Sequence, residues 1–264
     1  MNGITESLDG IEVVFLDLDG TIYLGNELIT GAKDFLKRLK QRGIKIVYLS
    51  NNSSKSVSEY VEKLKRLGIQ AGEKEILLST HDLISWLLNN NISDTFVVGT
   101  KGMKSMLEES GIVTESKNPE FVVLGYDTEV NYEKLAKASV HLQNGIPLVA
   151  SHPDMVCPSP LGDLPDSGAF MALFKVTTGV SASHTCGKPN AEMLLHKIEE
   201  LGVEPEKCAM VGDRLYTDIE MASRAGVNGI LVLSGEAKFE DLEGSEIIPS
   251  LIVDSVDNLS HNLH

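Results

Sequence analysis

The chain has 264 residues, 42% of them hydrophobic, which is enough to bury one or two hydrophobic cores, and its formal net charge is −15. This charge argues against nucleic acid and anionic membranes as partners, because both bind proteins through basic surfaces. The sequence shows no apolar run near the ~18 residues of a membrane span and no basic and apolar leader, so we expect a cytoplasmic protein.

Short apolar runs alternate with amphipathic stretches along the chain, which is the pattern of an α/β protein with a Rossmann-like parallel-sheet core. The first predicted elements are strand 11–19, helix 32–43, strand 44–50 and helix 56–68. A separate α/β series follows, with helices at 81–90, 102–110 and 131–145 and strands at 95–100, 121–127 and 147–151. The last elements are helix 190–202, strand 208–213, helix 217–225, strand 229–233 and an edge strand at 251–254.

The first predicted strand ends in two aspartates. Its run from Val13 to Leu16 is apolar at every position, as expected for a central parallel strand that helices cover on both faces. Alternate strand residues point the same way, so Asp17 and Asp19 would lie on one side at the carboxyl end, where open parallel sheets bind ligands. Two carboxylates so placed repel unless a cation or a proton lies between them. Taken alone, a turn at Gly20 explains the aspartates equally well.

Polar residues follow three other predicted strands or loops at the same edge of the sheet. The serine and two asparagines at 50–52 offer a hydroxyl, amides and main-chain donors to an anion, although an ordinary polar loop has the same composition. Asp213 ends a later strand, and Asp218 five residues on could also be a helix N-cap. Lys188 precedes a proline and a helix start, where a solvated lysine is common. Each of these residue patterns alone is weak evidence for a functional site, but together they are strong evidence because all of them lie at one edge of the predicted sheet.

Together these residues resemble the four motifs of the haloacid dehalogenase (HAD) superfamily of phosphohydrolases, in the family's order and over nearly the entire chain. The motifs are Asp17-Leu18-Asp19-Gly20-Thr21 for D-x-D-G-T, Ser50 at the end of the second strand, Lys188, and Gly212-Asp213 with Asp218 for G-D-x-x-x-x-D. The resemblance implies an HAD-like fold and an HAD-type phosphatase.

The place of the insertion narrows the resemblance. No domain fits between Asp19 and the helix near Gly31, whereas a domain-sized segment separates Asn52 from Lys188. A large α/β cap at this place, with S-N-N, A-S-H-P-D and C-G-K-P-N, resembles the NagD-like or nitrophenylphosphatase family. We therefore expect a core of 1–79 and 186–264 and an inserted cap domain of 80–185. The family more often shows T-N-N and N-P-D, and the histidine in place of asparagine leaves the substrate open.

The resemblance implies roles for the motif residues. Asp17 is the expected nucleophile that forms an aspartyl-phosphate, Asp19 is the expected proton donor and acceptor, and Lys188 stabilises the phosphoryl group. Mg²⁺ is the expected cofactor, because a hard cation takes oxygen ligands. Its expected ligands are the Asp17 and Asp213 carboxylates and the Asp19 main-chain carbonyl, with Asp218 acting through a water or a neighbouring ligand.

The expected substrate is a small phosphorylated metabolite such as a sugar phosphate, a nucleotide or p-nitrophenyl phosphate. The residues expected to bind it are Thr21, Ser50, Asn51, Asn52, Lys188, His152 and Asp154. Asp166 is a further candidate, since it shares the proline-rich stretch 151–170, a long loop that could equally be a plain connection. The resemblance also implies a homodimer formed through the cap, with a monomer as the alternative.

Two other classes share parts of this pattern. A phosphoryl-binding regulatory protein of the receiver type uses a strand-end aspartate, a Ser or Thr and a lysine, but it needs neither Asp19 nor a large cap. A haloalkanoate dehalogenase shares the nucleophile, but the resemblance implies that it lacks the second aspartate and Mg²⁺. Asp19 therefore favours the phosphatase, and a phosphoryl-binding protein with little turnover is the remaining alternative.

Overall fold

The computed structural model describes residues 8–159 and 162–261. The strands are β1 (Val13–Asp17), β2 (Tyr23–Leu24), β3 (Glu27–Leu28), β4 (Lys45–Ser50), β5 (Ile76–Leu78), β6 (Thr95–Val98), β7 (Phe121–Leu124), β8 (Leu148–Ala150), β9 (Val156–Cys157), β10 (Leu164–Pro165), β11 (Ala182–Thr185), β12 (Cys208–Gly212), β13 (Asn228–Val232) and β14 (Leu251–Val253). The helices are α1 (Ala32–Gln41), α2 (Val57–Arg66), α3 (Ser79–Asn89), α4 (Lys101–Glu109), α5 (Tyr132–Gln143), α6 (Ser167–Thr178), α7 (Glu192–Leu201), α8 (Glu220–Ala225) and α9 (Val256–His261). Among the described residues, no helix is long and apolar enough to cross a lipid bilayer.

The chain divides into two compact units. The first, here called the core unit, comprises the described residues of Met1–Leu49, Val61–Leu77 and Lys188–His264. The second, here called the insert unit, comprises the described residues of Ser50–Tyr60 and Leu78–Gly187. Each unit has a parallel sheet of its own.

The core unit is built on a sheet of order β14-β13-β12-β1-β4-β5. All five residues of β1 are buried, and an apolar strand of this kind suits a position that helices cover on both faces. β1 pairs in parallel with β12 on one side and with β4 on the other. The carboxyl ends of these three strands therefore lie at one edge of the sheet, with Asp17 at the end of the middle strand.

Helices cover this sheet through apolar faces. In α1, four residues at helical spacing are buried: Ala32, Phe35, Leu36 and Leu39. Burying one such phenylalanine or leucine side chain stabilises the fold by about 1.5–3 kcal/mol. α7 and α8 add buried residues to a cluster that includes Val13 and Phe15 of β1 and Met210 of β12. The hydrophobic core thus holds β1 and β12 side by side, which sets where their carboxyl ends lie.

The insert unit is built on a sheet of order β11-β8-β7-β6, whose strands pair in parallel. Neighbouring residues of its strands belong to different hydrophobic clusters, since Val97 and Val123 lie in one cluster and Val98 and Leu124 in the other. α3 and α4 contribute to the first cluster, and α5 and α6 contribute to the second. Helices therefore cover both faces of this sheet, as the apolar strands require.

The predicted α/β class is confirmed, and the predicted elements lie within a few residues of the observed ones. The elements that were not predicted are α6, which has 12 residues, and the shorter β2–β3 and β9–β10 pairs, β5, β11 and α9, which have at most six residues each. Such short segments do not show a clear hydrophobic period. α6 begins at Ser167, inside the stretch 151–170 that was expected to be a loop. Before α8 the chain forms a π-helical segment, Leu215–Ile219, where one continuous helix was expected.

Candidate active site

Three aspartates form an acidic cluster at the carboxyl edge of the core sheet. Asp17 ends β1, and Asp213 follows directly after β12, its parallel neighbour. Asp218 joins them from the π-helical segment. Carboxylate oxygens of the three residues lie within 4.8 Å of one another, and all three residues are buried. The structure thus brings together the predicted first and fourth motifs.

Lys188 lies within this cluster. Its Nζ donates to Asp17 Oδ1 at 2.5 Å and to Asp218 Oδ1 at 2.6 Å. Lys188 is 4% exposed, and a buried ammonium is tolerated only when it is paired. The solvated lysine that the sequence also allowed is therefore excluded. When all four side chains are ionised, negative charge exceeds positive charge in the cluster.

Burial and charge shift the pKa values of these groups. Burial raises the pKa of the Asp17 carboxyl well above its usual range; the Lys188 ammonium opposes this shift, and the Asp218 and Asp213 carboxylates add to it. Burial, with the Asp218 carboxylate, also raises the pKa of Asp213 to about 6. Although burial disfavours its charge, the carboxylates of Asp17 and Asp218 raise the pKa of Lys188 above its ordinary value. Ionising the cluster fully therefore costs free energy, which a further cation would offset.

One oxygen of Asp213 would suit such a cation as a ligand. Asp213 Oδ2 accepts a hydrogen bond from the Glu236 main-chain N–H at 2.7 Å. Asp213 Oδ1 is buried and has no hydrogen-bond partner within the described part of the chain. An ionised buried oxygen without a partner is costly. Buried carboxylate oxygens are the ligands that Mg²⁺ prefers, so the residues present fit this ion.

The segment after β13 holds two of the motifs together. Ser234 Oγ donates to the Gly20 carbonyl oxygen at 2.7 Å, and the Ala237 main-chain N–H donates to the Asp213 carbonyl oxygen at 3.0 Å. A Cβ atom at Gly235 would collide with the Asp213 carboxylate. Sequence reasoning missed this segment, although the small polar S-G pair directly after a buried strand was an available signal.

Asp19 lies in different surroundings from Asp17. Its side chain is 51% exposed, and its Oδ2 is 3.9 Å from Lys63 Nζ, which also lies 3.8 Å from the centroid of the Tyr23 ring. β1 ends at Asp17, and the chain turns through Gly20, whose φ is +88°. The extended geometry that would have placed both aspartates alike therefore stops at Asp17. Sequence reasoning missed Lys63, since nothing in the pattern of α2 distinguishes it from the other charged residues of that helix.

The remaining residue of the first motif, Thr21, is fully buried. Its hydroxyl has no hydrogen-bond partner among residues 8–159 and 162–261. The predicted contact between this hydroxyl and a substrate stays a prediction.

The insert unit holds the predicted residues at the end of β4 and directly after it. Ser50 Oγ lies 3.2 Å from the Tyr60 hydroxyl and accepts a hydrogen bond from the Asn52 main-chain N–H at 3.2 Å. Asn51 Nδ2 donates to both carboxylate oxygens of Asp154, at 3.2 and 3.3 Å. Asn52 Oδ1 accepts from the Ser54 main-chain N–H at 2.9 Å. The structure therefore joins Asn51 to Asp154 within the insert unit, while Asn52 stabilises its own turn.

His152 and Asp166 form a second pair in the insert unit. His152 is fully buried, its Nδ1 lies 2.9 Å from Ser151 Oγ, and its Nε2 lies 2.9 Å from Asp166 Oδ1. Asp166 also caps α6, since its Oδ1 accepts from the Ser167 main-chain N–H at 2.5 Å. Both ring nitrogens of His152 are thus engaged inside the insert unit.

Two family models match the chain. A model described as haloacid dehalogenase-like hydrolase matches residues 14–113, and a model described as HAD-hydrolase-like matches residues 185–259. Together they cover more than half of the chain and include all four motifs. The chain belongs to the haloacid dehalogenase-like hydrolase family. The resemblance that the motifs indicated is confirmed.

Relatives of this HAD-like hydrolase include several phosphatases. A 4-nitrophenylphosphatase from Thermotoga maritima is similar with a TM-score of 0.92 and 38% identity, over 97% of this chain and 99% of that one. NagD from E. coli K-12 has a TM-score of 0.85 and 27% identity, over 94% and 97% of the two chains. An acid sugar phosphatase of Staphylococcus aureus (strain MRSA252) is 35% identical over 239 residues, 89% of this chain and 91% of the relative. The expected phosphatase class is confirmed, whereas the metal ion, the intermediate and the substrate stay predictions.

Proposed function

We propose that this HAD-like hydrolase is a Mg²⁺-dependent phosphomonoesterase that acts on small phosphorylated metabolites through an aspartyl-phosphate on Asp17. The observation that carries the proposal is the buried cluster of three carboxylates and Lys188, in which Asp213 Oδ1 has no partner among the described residues. The phosphatase names of the relatives support the same activity.

Mg²⁺ would be held by the Asp17 and Asp213 carboxylates and the main-chain carbonyl of Asp19, and Asp218 would act through a water or a neighbouring ligand. When bound, Mg²⁺ supplies the positive charge that lets a phosphate dianion approach these carboxylates. Lys188 adds a second positive charge directly beside the Asp17 oxygen. Because the protein has a net charge of −15, an anionic substrate can bind only where local cations such as these offset the negative charge.

Asp17 and Asp19 have different proposed roles in the reaction. The ionised Asp17 carboxylate attacks phosphorus, so that an oxygen–phosphorus bond forms on Asp17 as the bond to the leaving oxygen breaks. Asp19, protonated at that moment, gives its proton to the leaving oxygen. It then takes a proton from the water that attacks the aspartyl-phosphate, which releases inorganic phosphate and restores both carboxyl groups. The exposed side chain of Asp19 suits a group that must reach leaving groups and water.

Substrate binding is proposed for residues of the motifs and of the stretch 151–170. The proposed set is Thr21, Ser50, Asn51, Asn52, Lys188 and Asp154 in contact with the substrate, and His152 through its hydrogen bonds within the insert unit. The insert unit is proposed to be the cap domain, at 80–185, and to select the leaving group. Sugar phosphates and p-nitrophenyl phosphate are the proposed substrates, because the relatives include an acid sugar phosphatase and 4-nitrophenylphosphatases. A homodimer through the cap is part of the proposal, and neither nucleic acid nor a membrane is a proposed partner.

Phosphate release from a panel of esters tests this proposal. The panel contains p-nitrophenyl phosphate, hexose phosphates, nucleoside monophosphates, pyridoxal phosphate and phosphoglycolate, each with Mg²⁺ and with EDTA. We expect release that requires Mg²⁺ and that Asp17→Asn abolishes, because this change removes the nucleophile and a metal ligand together. No release from any ester with Mg²⁺ would instead indicate a phosphoryl-binding protein without turnover.

A further inference from the structure

His152 lies at the centre of a buried polar chain in the insert unit. Ser151 Oγ lies 2.9 Å from His152 Nδ1 and 3.0 Å from Ser53 Oγ, which accepts the Tyr126 main-chain N–H at 2.8 Å. His152 Nε2 lies 2.9 Å from Asp166 Oδ1. A carboxylate oxygen is an acceptor, so Nε2 carries the proton that is shared with Asp166.

The same hydrogen-bonded side chains join the two ends of the connection between β8 and α6, whose described residues, 151–159 and 162–166, are here called the cap loop. His152 follows β8 with one residue between, and Asp166 immediately precedes α6 and caps it. The Gly168 main-chain N–H donates to the Asp154 carbonyl oxygen at 2.8 Å, and the Asp166 N–H donates to the Met155 carbonyl oxygen at 3.1 Å. The link between His152 and Asp166 therefore closes a loop that carries Asp154 two residues after His152.

His152 does not present a polar atom to a ligand in this arrangement. It is fully buried, and both of its ring nitrogens lie at hydrogen-bond distance from groups of the insert unit. Asp154, by contrast, is only partly buried, and its carboxylate is oriented by Asn51 Nδ2. A ring nitrogen of His152 also lies within 4.8 Å of a carboxylate oxygen of Asp154, so His152 can influence substrate binding through Asp154.

We propose that His152 is a positioning residue for leaving-group recognition: its hydrogen bonds to Ser151 and Asp166 fix the cap loop so that Asp154 can accept hydrogen bonds from a hydroxyl-bearing leaving group. This inference rests on the proposed phosphatase function. A carboxylate recognises hydroxyl donors, which a hexose offers and a p-nitrophenyl group lacks. If the Asp154 carboxylate loses its orientation, the protein should therefore bind a hexose phosphate more weakly, whereas its affinity for p-nitrophenyl phosphate should not change.

Two substitutions separate the two hydrogen bonds of the ring. In His152→Gln the amide nitrogen reaches the place of Nε2 and can keep the bond to Asp166, whereas in His152→Asn the amide reaches only the place of Nδ1. His141→Gln is the matched control, because His141 also lies in the insert unit, on α5, where its ring contacts that of Phe96 on β6.

The readout is the ratio of KM for a hexose phosphate to KM for p-nitrophenyl phosphate. We expect His152→Asn to raise this ratio about tenfold, the size of one lost hydrogen bond to a charged group. His152→Gln should recover most of the wild-type ratio, and His141→Gln should leave it unchanged. A similar rise in both KM values, or a fall in kcat alone, would show a merely structural role and overturn the proposal.

A measurement on the wild-type protein keeps the test independent of how well the variants fold. In protein labelled with ¹⁵N-histidine, the Nε2–H shared with Asp166 should give a downfield proton signal that exchanges slowly with water. Absence of such a signal from His152 would overturn the network itself. Absence of turnover of both esters by the wild type would overturn the proposed function, and the inference with it, whereas turnover without the expected ratio would overturn the inference alone.

Discussion

Lys188 is the residue on which the acidic cluster depends most. It pairs with two buried carboxylates, from Asp17 and Asp218, at 2.5 and 2.6 Å. Each of these groups would be costly to bury alone, because removing one partner leaves an uncompensated charge in a low-dielectric site. Whether the carboxyl edge of the core sheet can bind an anion therefore depends on the balance of positive and negative side chains there, and not on the order of the strands.

Replacing Lys188 by methionine should destabilise the metal-free protein by about 3–5 kcal/mol at neutral pH, because Asp17 and Asp218 lose their cation. Urea unfolding followed by circular dichroism measures this change. Lys207→Met is the matched control, since Lys207 pairs with Glu12 at the surface, where solvent screens the pair, and its loss should destabilise the protein far less. Equal losses in the two variants would contradict the view that the Lys188 pairs are energetically buried.

Asp213 gives the metal-free protein a distinctive pH dependence. Burial raises its pKa to about 6 from an ordinary value of 3.8, so between these values the folded chain binds more protons than the unfolded chain. The free energy of unfolding should therefore fall as pH rises from about 4 to 6, by on the order of 2–3 kcal/mol from this group. The elevated pKa of Asp17 acts in the same direction.

The difference between wild type and Asp213→Asn isolates this contribution. Measured by urea unfolding in EDTA, the wild type should lose stability relative to the variant as pH rises through this window. Added Mg²⁺ should reduce the loss, since the ion binds the ionised carboxylate. Parallel pH profiles of the two proteins in EDTA would show that Asp213 is not the group responsible.

Among the elements, the segment that follows β13 has a larger role than its length suggests. Residues 234–237 hydrogen-bond to Gly20 on one loop and to Asp213 on another, so they set the distance between two motifs. Gly235 lies directly against the Asp213 carboxylate, with no room for a Cβ atom. The geometry of the proposed metal site thus depends on a strand end that carries none of the proposed ligands.

Gly235→Ala should weaken Mg²⁺ binding about tenfold, because the new methyl group displaces the Asp213 carboxylate. Steric conflicts of this kind typically cost about 1–3 kcal/mol. Isothermal titration calorimetry of the EDTA-treated protein with MgCl₂ measures the effect. Gly72→Ala is the control, since the nearest atom to its Cβ would be Glu75 Oε2 at 3.8 Å. Unchanged affinity in Gly235→Ala would mean that Asp213 does not need this position to bind the ion.

The sequence predicted those site residues that come at the end of an apolar strand. Asp17 and Asp213 end apolar strands, so both their place at the sheet edge and their closeness could be predicted. Ser234 could not be found in the same way, because its partner Gly20 is 214 residues away and no local pattern records that contact. His152 shows a second limit, since composition alone does not tell a buried histidine with two partners from one that faces a substrate.

At the scale of the whole molecule, a strongly acidic chain places a cluster of charged side chains at the carboxyl ends of the central strands of the core sheet. The sheet order puts β1 between β12 and β4, so three of the motif-bearing strand ends are adjacent. This arrangement, together with the membership of the HAD-like hydrolase family, leads to one central claim. In the proposed mechanism, Asp17 forms a covalent bond to phosphorus during hydrolysis, and Asp19 donates and accepts the protons.

The most direct test of this claim is a rapid-mixing experiment on Asp19→Asn with p-nitrophenyl phosphate and Mg²⁺. The p-nitrophenolate leaving group needs no proton, so Asp17 should still be phosphorylated, whereas hydrolysis of the aspartyl-phosphate lacks its base and should be slow. We predict a burst of about one p-nitrophenolate per chain, and acid quenching followed by peptide mass spectrometry should locate one phosphoryl group on Asp17. No burst and no phosphoryl group on Asp17, in a protein whose wild type turns over, would contradict the account.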